Sequence, residues 1–196
     1  FGFSSFRKKS FSNQNSLNEL MRKQFLGSNN APIKIKEFFS LTCGHCSNFH
    51  IKTLPQLKKK YIDTGKVQLE FIDYPLDRLA VIAATLARSI PTKDGYVEAV
   101  SILLKKQKQW AYSKNPLNEL QSIAKLFGIS SKKFSDISQN IPLMQEIVTK
   151  MEKESKNFDI NSTPTFIVND KYKISGDLSF KDFEKELLKS INAKKS

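Results

Sequence analysis

The chain has two cysteines in 196 residues, and both lie in the run Cys43-Gly44-His45-Cys46. We predict that this run follows a buried strand and begins a helix. The first turn of a helix carries unpaired amide groups and a partial positive charge, which favour the thiolate of Cys43. Thiolates are the attacking groups in disulfide exchange, and thiols of low pKa are also good leaving groups. The spacing therefore predicts a redox-active pair in which Cys43 reacts first and Cys46 resolves mixed disulfides.

The residues between the cysteines bear on how oxidising this pair is. We predict that the imidazole of His45 stabilises the Cys43 anion, as a protonated ring or as a hydrogen-bond donor. A more stable thiolate stabilises the reduced protein, which makes the disulfide a stronger oxidant. Because the two sulfurs carry both electrons, this chemistry requires no cofactor.

Two other interpretations of the cysteines are open at this point. They could be ordinary core residues, or they could bind a metal, because Cys43, His45, Cys46 and His50 are every Cys and His of the chain. On a helix, however, Cys46 and His50 share a face from which His45 points away, and four tetrahedral ligands do not readily come from one helix. We therefore predict no metal site, and we interpret His50 as a packing or surface residue. Covalent haem is excluded because Ser47, and not His, follows the second cysteine.

Glu37 is the next candidate, because it lies in a mostly apolar run that ends at Phe39. A buried carboxylate is costly unless it has a partner or a function. We predict that Glu37 lies beneath the cysteines with a raised pKa and transfers the proton of Cys46. The alternative is a glutamate at the end of a strand, facing water.

Thr163-Pro164 is the third candidate. A proline at the entrance to a strand is unusual unless it lies on an edge or its peptide bond is cis, a form that X–Pro bonds adopt at modest cost. The alternative is a simple edge-strand or loop proline.

The elements that must position these residues alternate in type. The order is strand, helix, strand, then a long helical block, then two strands and a helix. Helix breaks within the block are predicted at proline or glycine, and Asn169-Asp170 is a hairpin turn signal. The predicted strands are 33–39, 67–72, 165–168 and 171–174, and the predicted helices are 43–60, several within 79–158, and 179–191.

The N-terminal segment is predicted to be a loose arm over residues 1–15, followed by a helix. Ser16 and Glu19 form a capping box, and Gly27 is a plausible helix terminator. The apolar stripe of that helix is Leu17, Leu20, Met21 and Phe25. The helix lies on the domain or pairs with a second copy of the chain, and both interpretations remain open.

The net charge is +13, and the basic residues are spread along the chain. Nearly all of them are lysine, whereas proteins that bind nucleic acid favour arginine. We therefore predict a solvated basic surface and no nucleic-acid partner. The sequence contains no run of about 18 apolar residues, the length that a membrane-spanning helix requires. Because the sequence begins with Phe1 and not Met, we expect a trimmed form from which a signal or anchor segment is absent.

The sequence resembles the DsbA-like thiol:disulfide interchange proteins of the thioredoxin superfamily, in their alphaproteobacterial branch. The resemblance covers about residues 28–190. The matching stretches are Asn30-Ala31-Pro32, Glu37-Phe38-Phe39-Ser40, Cys43-Gly44-His45-Cys46, Thr53-Leu54-Pro55, Asp73-Tyr74-Pro75-Leu76-Asp77 and Ser162-Thr163-Pro164-Thr165-Phe166, together with Trp110.

This resemblance implies an α/β thioredoxin fold, with a central sheet flanked by helices, an inserted all-helical domain and an N-terminal helical extension. It also implies that Pro164 is cis beside the sulfurs. Substrate contacts are expected at Gly44, Thr163 and Pro164, with the Thr163 backbone docking an extended substrate strand. The implied parts are 1–27 (arm and helix), 28–76 (first half of the thioredoxin domain), 77–158 (helical insertion) and 159–196 (second half).

The resemblance further implies a periplasmic enzyme that introduces or exchanges disulfides in unfolded or misfolded exported proteins. Its redox partner would be a membrane protein of the DsbB or DsbD type. Gly44-His45 and Thr163 resemble the eukaryotic protein disulfide isomerases, so an oligomeric isomerase assembled through residues 1–27 is the first alternative. A metal-binding or chaperone-like module is the second.

Overall fold

The computed structural model describes residues 16–192. Within them, five strands form one mixed sheet in the order β1-β3-β2-β4-β5. β2 and β3 are parallel, and the other three pairings are antiparallel. The strands are β1 (Gln24–Leu26), β2 (Ile33–Phe39), β3 (Val67–Asp73), β4 (Thr165–Val168) and β5 (Tyr172–Ser175).

The two central strands are largely apolar because helices cover both faces of the sheet at this point. In β2, Glu37 pairs with Phe71 of β3 on one side and with Phe166 of β4 on the other. The side chain of Glu37 is completely buried. The sheet therefore holds a carboxyl group in the middle of an aromatic core.

A helix that we call α1 follows β2 and covers residues 44–62. It consists of α-helical segments at Gly44–Asn48 and Leu54–Leu57, alternating with π-helical turns at Phe49–Thr53 and Lys58–Ile62. Pro55 has no N–H with which to continue the helical ladder, so the turn before it widens. The distortion before Pro55 thus takes the form of a π-helical turn. The side chains of Phe49, Leu54, Leu57 and Tyr61 are buried.

Six helices lie between β3 and β4, and their breaks coincide with the predicted ones, apart from an additional break at Lys106. They are α2 (Arg78–Arg88), α3 (Gly95–Lys105), α4 (Gln107–Trp110), α5 (Pro116–Lys125), α6 (Ser131–Ile137) and α7 (Ile141–Phe158). None of the helices within residues 16–192 combines the length and apolar character needed to cross a membrane.

A buried polar cluster joins these helices to the sheet. Asp73, at the end of β3, accepts hydrogen bonds from Arg88 Nε of α2 at 2.6 Å and from the Tyr96 hydroxyl of α3 at 2.7 Å. Arg88 Nη1 also donates to the carbonyl oxygen of Leu20, 3.1 Å away. The cluster therefore ties the N-terminal segment, the sheet and two helices together.

The predicted hairpin is confirmed. Asn169 and Asp170 have φ values of 49° and 57° and join β4 to β5. These left-handed conformations suit the tight turn between two antiparallel strands, and Asn and Asp tolerate them well. The last helix, α8 (Phe180–Asn192), buries Phe183 and Leu187. Leu188, beside Leu187, is exposed.

The predicted N-terminal helix is wrong in its second half. Residues 16–20 are helical, but Phe25 lies in β1, which is an edge strand of the sheet and pairs with β3. Gly27 ends this strand and not a helix. Its φ is +94°, and a Cβ there would lie 2.5 Å from the carbonyl oxygen of Val67. Helical periodicity missed the strand because strand pairing with distant β3 decided the conformation. The predicted arm over residues 1–15 lies outside the described residues.

Candidate active site

Cys43 occupies the N-cap position of α1, where the chain leaves β2. Its sulfur accepts a hydrogen bond from the N–H of Cys46 at 3.4 Å. Side-chain atoms at an N-cap satisfy amide groups that have no partner within the helix. The Cys43 sulfur therefore lies where amides and the helix dipole stabilise a negative charge.

The surroundings lower the pKa of the Cys43 thiol from its ordinary value of 9.0 to about 5. The largest cause is a hydrogen bond from the Cys46 side chain, and partial burial opposes it. The hydroxyl of Thr163 and the amides of Cys46 and His45 lower the pKa further. Cys43 is therefore a thiolate at neutral pH.

Cys46 has the opposite character. Its side chain is completely buried, and its pKa lies far above the ordinary value of a thiol. Burial is the main cause, and the hydrogen bond to Cys43 and the charges of Cys43 and Glu37 add to it. One sulfur of the pair is thus ionised, whereas the other keeps its proton. This asymmetry is suited to the predicted roles of the two cysteines.

The loop before β4 lies against the first cysteine. The Thr163–Pro164 peptide is cis, as the resemblance implied. The carbonyl oxygen of Thr163 is 3.4 Å from the Cys43 sulfur, and the N–H of Gly176 donates to the carbonyl oxygen of Pro164 at 2.9 Å. The backbone beside the sulfur is thereby fixed to the hairpin.

His45 differs from the prediction in the direction of its ring. The imidazole Nδ1 lies 2.9 Å from Oδ1 of Asp177, and the side chain is 74% exposed. The other oxygen of Asp177 accepts a hydrogen bond from Asn48 at 2.6 Å. His45 therefore acts on Cys43 through its backbone amide, while its ring pairs with Asp177. The sequence carried no signal for Asp177, because it lies 132 residues away in the loop after β5.

Glu37 is buried, which excludes the water-facing alternative. Its Oε1 lies 2.9 Å from Nε2 of His50. His50 is buried as well. The interpretation of His50 as a packing or surface residue did not include its hydrogen bond with Glu37. The sequence did contain a signal, because His50 follows Cys46 by four residues and thus shares its helix face.

The Cys and His residues do not converge on one point. The ring of His45 contacts Asp177, whereas the ring of His50 contacts Glu37. Over residues 16–192, no group of three or more Cys, His, Asp or Glu side chains is arranged to hold a metal ion.

A surface groove of about 700 Å³ adjoins the motif. Its walls come from α1 and from the helices between β3 and β4, and they include Gly44, Ser47, Asn48, Ile51, Gln107 and Tyr112. Gly44 is exposed, with the hydroxyl of Tyr112 nearby. Of the predicted site residues, the structure places Cys43, Thr163 and Pro164 together, Cys46 and Glu37 beneath them, and His45 at the surface.

Comparisons with known proteins match this arrangement. The family model described as thioredoxin matches residues 20–189. The crystal structure of alpha-DsbA1 from Wolbachia pipientis is 31% identical, with a TM-score of 0.77, over 86% of this chain and 90% of that one. BdbD from Bacillus subtilis shares the fold, with a TM-score of 0.68 and 22% identity over 87% of this chain and 93% of BdbD.

A curated relative from Rickettsia typhi, provisionally named a protein-disulfide oxidoreductase, is 31% identical over 144 residues. These residues are 74% of this chain and 53% of the relative, so the chain spans about half the length of such relatives. The predicted thioredoxin fold, with helices inserted between its strands, is confirmed. The chain belongs to the thioredoxin family and, within it, to the DsbA-like proteins.

Proposed function

We propose that the chain is a periplasmic thiol:disulfide oxidoreductase that introduces disulfides into exported proteins through Cys43 and Cys46. The observation that carries this proposal is the contrast between the two sulfurs. Cys43 has a pKa of about 5 at the start of α1, and Cys46 is a buried thiol three residues later. Such a pair supplies both a stable thiolate and a resolving group.

The reaction starts from the Cys43–Cys46 disulfide. A substrate thiolate attacks the Cys43 sulfur, so that a mixed disulfide forms and Cys46 leaves and takes a proton. A second substrate thiolate then attacks the substrate sulfur of the mixed disulfide. The substrate is oxidised to a disulfide, and the enzyme leaves as Cys43 thiolate and Cys46 thiol, with two electrons more than before.

The substrate in this proposal is an unfolded or misfolded exported protein. An extended segment of it would lie along the loop that contains Thr163 and Pro164, beside the exposed Gly44. The backbone of Thr163 faces Cys43 and supports docking by strand-like hydrogen bonds. Recharging would come from a membrane redox partner of the DsbB type, since an oxidase must return to its disulfide form.

Isomerisation is the second candidate, and the Gly44-His45 pair supports it by resemblance to the protein disulfide isomerases. In that reaction the Cys43 thiolate attacks a wrong substrate disulfide, and Cys46 releases the enzyme if rearrangement stalls. A DsbD-type partner would then keep the pair reduced.

Self-association through residues 1–27 has less support. Leu17, Leu20 and Met21 pack against the core of their own chain, which leaves less apolar surface for a second copy. The molar mass of the full chain in solution, compared with that of a chain lacking residues 1–27, tests this point.

Two refolding assays test the proposal. The oxidised protein is added to reduced ribonuclease A, and the reduced protein is added to ribonuclease A with scrambled disulfides. Disulfide formation in the first assay, faster than any reactivation in the second, supports the oxidase. The reverse order favours the isomerase. If neither reaction proceeds faster than with Cys43→Ala, the proposed function is wrong.

A further inference from the structure

The polar pair of Glu37 and His50 lies inside an aromatic enclosure and is not explained by fold alone. The ring of His50 has the rings of Phe39, Phe49 and Phe71 as neighbours, each with its centroid 5.8 Å away. The side chains of His50 and Glu37 are 4% and 0% exposed. A polar pair in such a place is costly unless it has a purpose.

The two oxygens of Glu37 differ. Oε1 lies 2.9 Å from Nε2 of His50, whereas Oε2 is buried and has no hydrogen-bond partner among residues 16–192. A buried carboxylate oxygen without a hydrogen bond destabilises the fold, because it has lost its contacts with water and gained none in return. Within the described residues, Oε2 is thus a buried acceptor that no hydrogen bond occupies.

The carboxylate of Glu37 acts electrostatically on Cys46. Cys46 is buried on α1, one turn before His50 and on the same helix face. The charge of Glu37 contributes to the raised pKa of Cys46, after burial and the effects of Cys43. The pair and the buried thiol therefore form one electrostatic unit.

We propose that His50 is a positioning residue whose Nε2–H binds Oε1 of Glu37 and so leaves Oε2 as the proton acceptor for Cys46. This inference rests on the proposed exchange reaction and names a residue that acts in it through Glu37. When Cys46 attacks the Cys43 sulfur of a mixed disulfide, a bond forms between the two enzyme sulfurs. The bond from Cys43 to the substrate breaks, the substrate leaves as a thiolate, and the Cys46 proton moves to Oε2. In the opposite direction, Cys46 leaves and takes the proton back.

Other titratable groups act on this unit from neighbouring elements. Tyr96 of α3 is buried, and the charge of Glu37 contributes to the raised pKa of its hydroxyl, after burial and the charge of Asp73. The Tyr96 hydroxyl donates a hydrogen bond to Asp73 of β3, which also accepts one from Arg88 of α2. Tyr96 and Arg88 are both hydrogen-bonded to Asp73. We therefore assign the acceptance of the Cys46 proton to Glu37 and not to this cluster.

The test uses two matched amides in place of His50. The amide nitrogen of Gln lies about where Nε2 of histidine lies, whereas that of Asn falls short and cannot reach Glu37. The reduced full chain is mixed with excess glutathione disulfide, which forms a mixed disulfide at Cys43 that Cys46 then resolves. Acid quenching and mass spectrometry give the rate of this second, intramolecular step between mildly acidic and alkaline pH.

We expect His50→Asn to slow resolution at neutral pH by about tenfold, less than the roughly 100-fold lower range of general-base effects, because Glu37 itself remains. The loss should be largest near neutral pH and should shrink in alkaline solution, where hydroxide can take the Cys46 proton in place of Glu37. His50→Gln should restore the original pH profile. Phe71→Leu, which removes packing beside His50 but keeps the hydrogen bond, should lower stability without moving the profile.

An unchanged pH profile in His50→Asn would overturn the proposal. So would equal slowing at every pH in both amide variants, because that result indicates a general packing defect. If the unsubstituted chain does not react with glutathione disulfide, the failure lies in the proposed function and not in the role of His50.

Discussion

The side-chain amide of Gln107 donates a hydrogen bond to the carbonyl oxygen of Cys43 at 2.9 Å. The same nitrogen lies 2.8 Å from the carbonyl oxygen of Leu41. Gln107 begins α4, so these bonds connect the inserted helices to the turn that presents the reactive sulfur. The two carbonyl groups belong to the turn between β2 and α1, and that of Cys43 also accepts a hydrogen bond from the N–H of Ser47 at 3.1 Å. The insertion therefore contributes to the geometry of the site and does not merely cover it.

Replacing Gln107 with Ala should lower the free energy of unfolding by about 2 kcal/mol, because buried carbonyl groups lose a donor. Chemical denaturation of the reduced protein measures this change. The matched control is Gln109→Ala on the exposed side of the same helix, which should change stability by less than about 0.5 kcal/mol. Equal effects of the two variants would mean that the hydrogen bonds of Gln107 contribute nothing specific.

The two cysteines should behave differently when replaced one at a time. Cys43→Ala should abolish exchange, because the remaining thiol is buried and protonated. Cys46→Ala should accumulate mixed disulfides with substrate, since the resolving sulfur is gone while the Cys43 thiolate remains. Non-reducing electrophoresis after a rapid acid quench detects the adducts. Similar residual activity in both variants would contradict the assigned roles.

The ionisation of Cys43 gives a pH dependence with a definite sign. Its folded pKa of about 5 lies below the ordinary value of 9.0, so ionisation stabilises the folded reduced chain. This stabilisation is complete above the ordinary value and is lost as the pH falls to about 5. The reduced form should thus lose stability relative to the oxidised form over that range. Unfolding of both forms at several pH values measures the difference, and a constant difference would show that Cys43 is not ionised.

Glu37→Gln should slow exchange about tenfold or more at neutral pH, since the amide cannot accept the proton of Cys46. The chain should remain folded, because the amide fills nearly the same volume as the carboxyl group. Glu119→Gln, at an exposed position of α5, is the matched control and should leave the rate unaltered. If Glu37→Gln exchanges as fast as that control, Glu37 has no role in proton transfer.

The ion pair of Arg88 and Asp73 should matter for stability and not for chemistry. Removal of one partner of a buried pair typically costs about 3 to 5 kcal/mol, and we expect Arg88→Ala to fall in that range. Arg78→Ala, at the exposed start of the same helix, should have little effect. Thermal unfolding compares the two variants. A small effect of Arg88→Ala would show that the chain relaxes around the unpaired Asp73.

Much of this structure follows from local sequence patterns. The apolar run before Cys43 predicts β2, and Asn169-Asp170 predicts the hairpin, because strand burial and turn conformation are local properties. The burial of Glu37 could be inferred for the same reason. The strand at Phe25 could not, because it forms only by pairing with β3.

The missing parts of the site depend on contacts between distant segments. Asp177 reaches His45 only after β5 has paired with β4, and Gln107 reaches Cys43 only after α4 has packed on the turn. Neither residue lies in a pattern that indicates a partner. His50 was within reach of sequence reasoning, because it shares a helix face with Cys46, but its partner lies on β2.

The most direct test of the central claim is the redox potential of the Cys43–Cys46 pair, titrated against glutathione. A thiolate as stable as that of Cys43 predicts a reversible two-electron couple above about −180 mV, toward the roughly −120 mV of a strong bacterial oxidant. A couple at about −180 mV or lower would instead favour the isomerase. The absence of any reversible couple would contradict the account, because the two cysteines would then have no redox function.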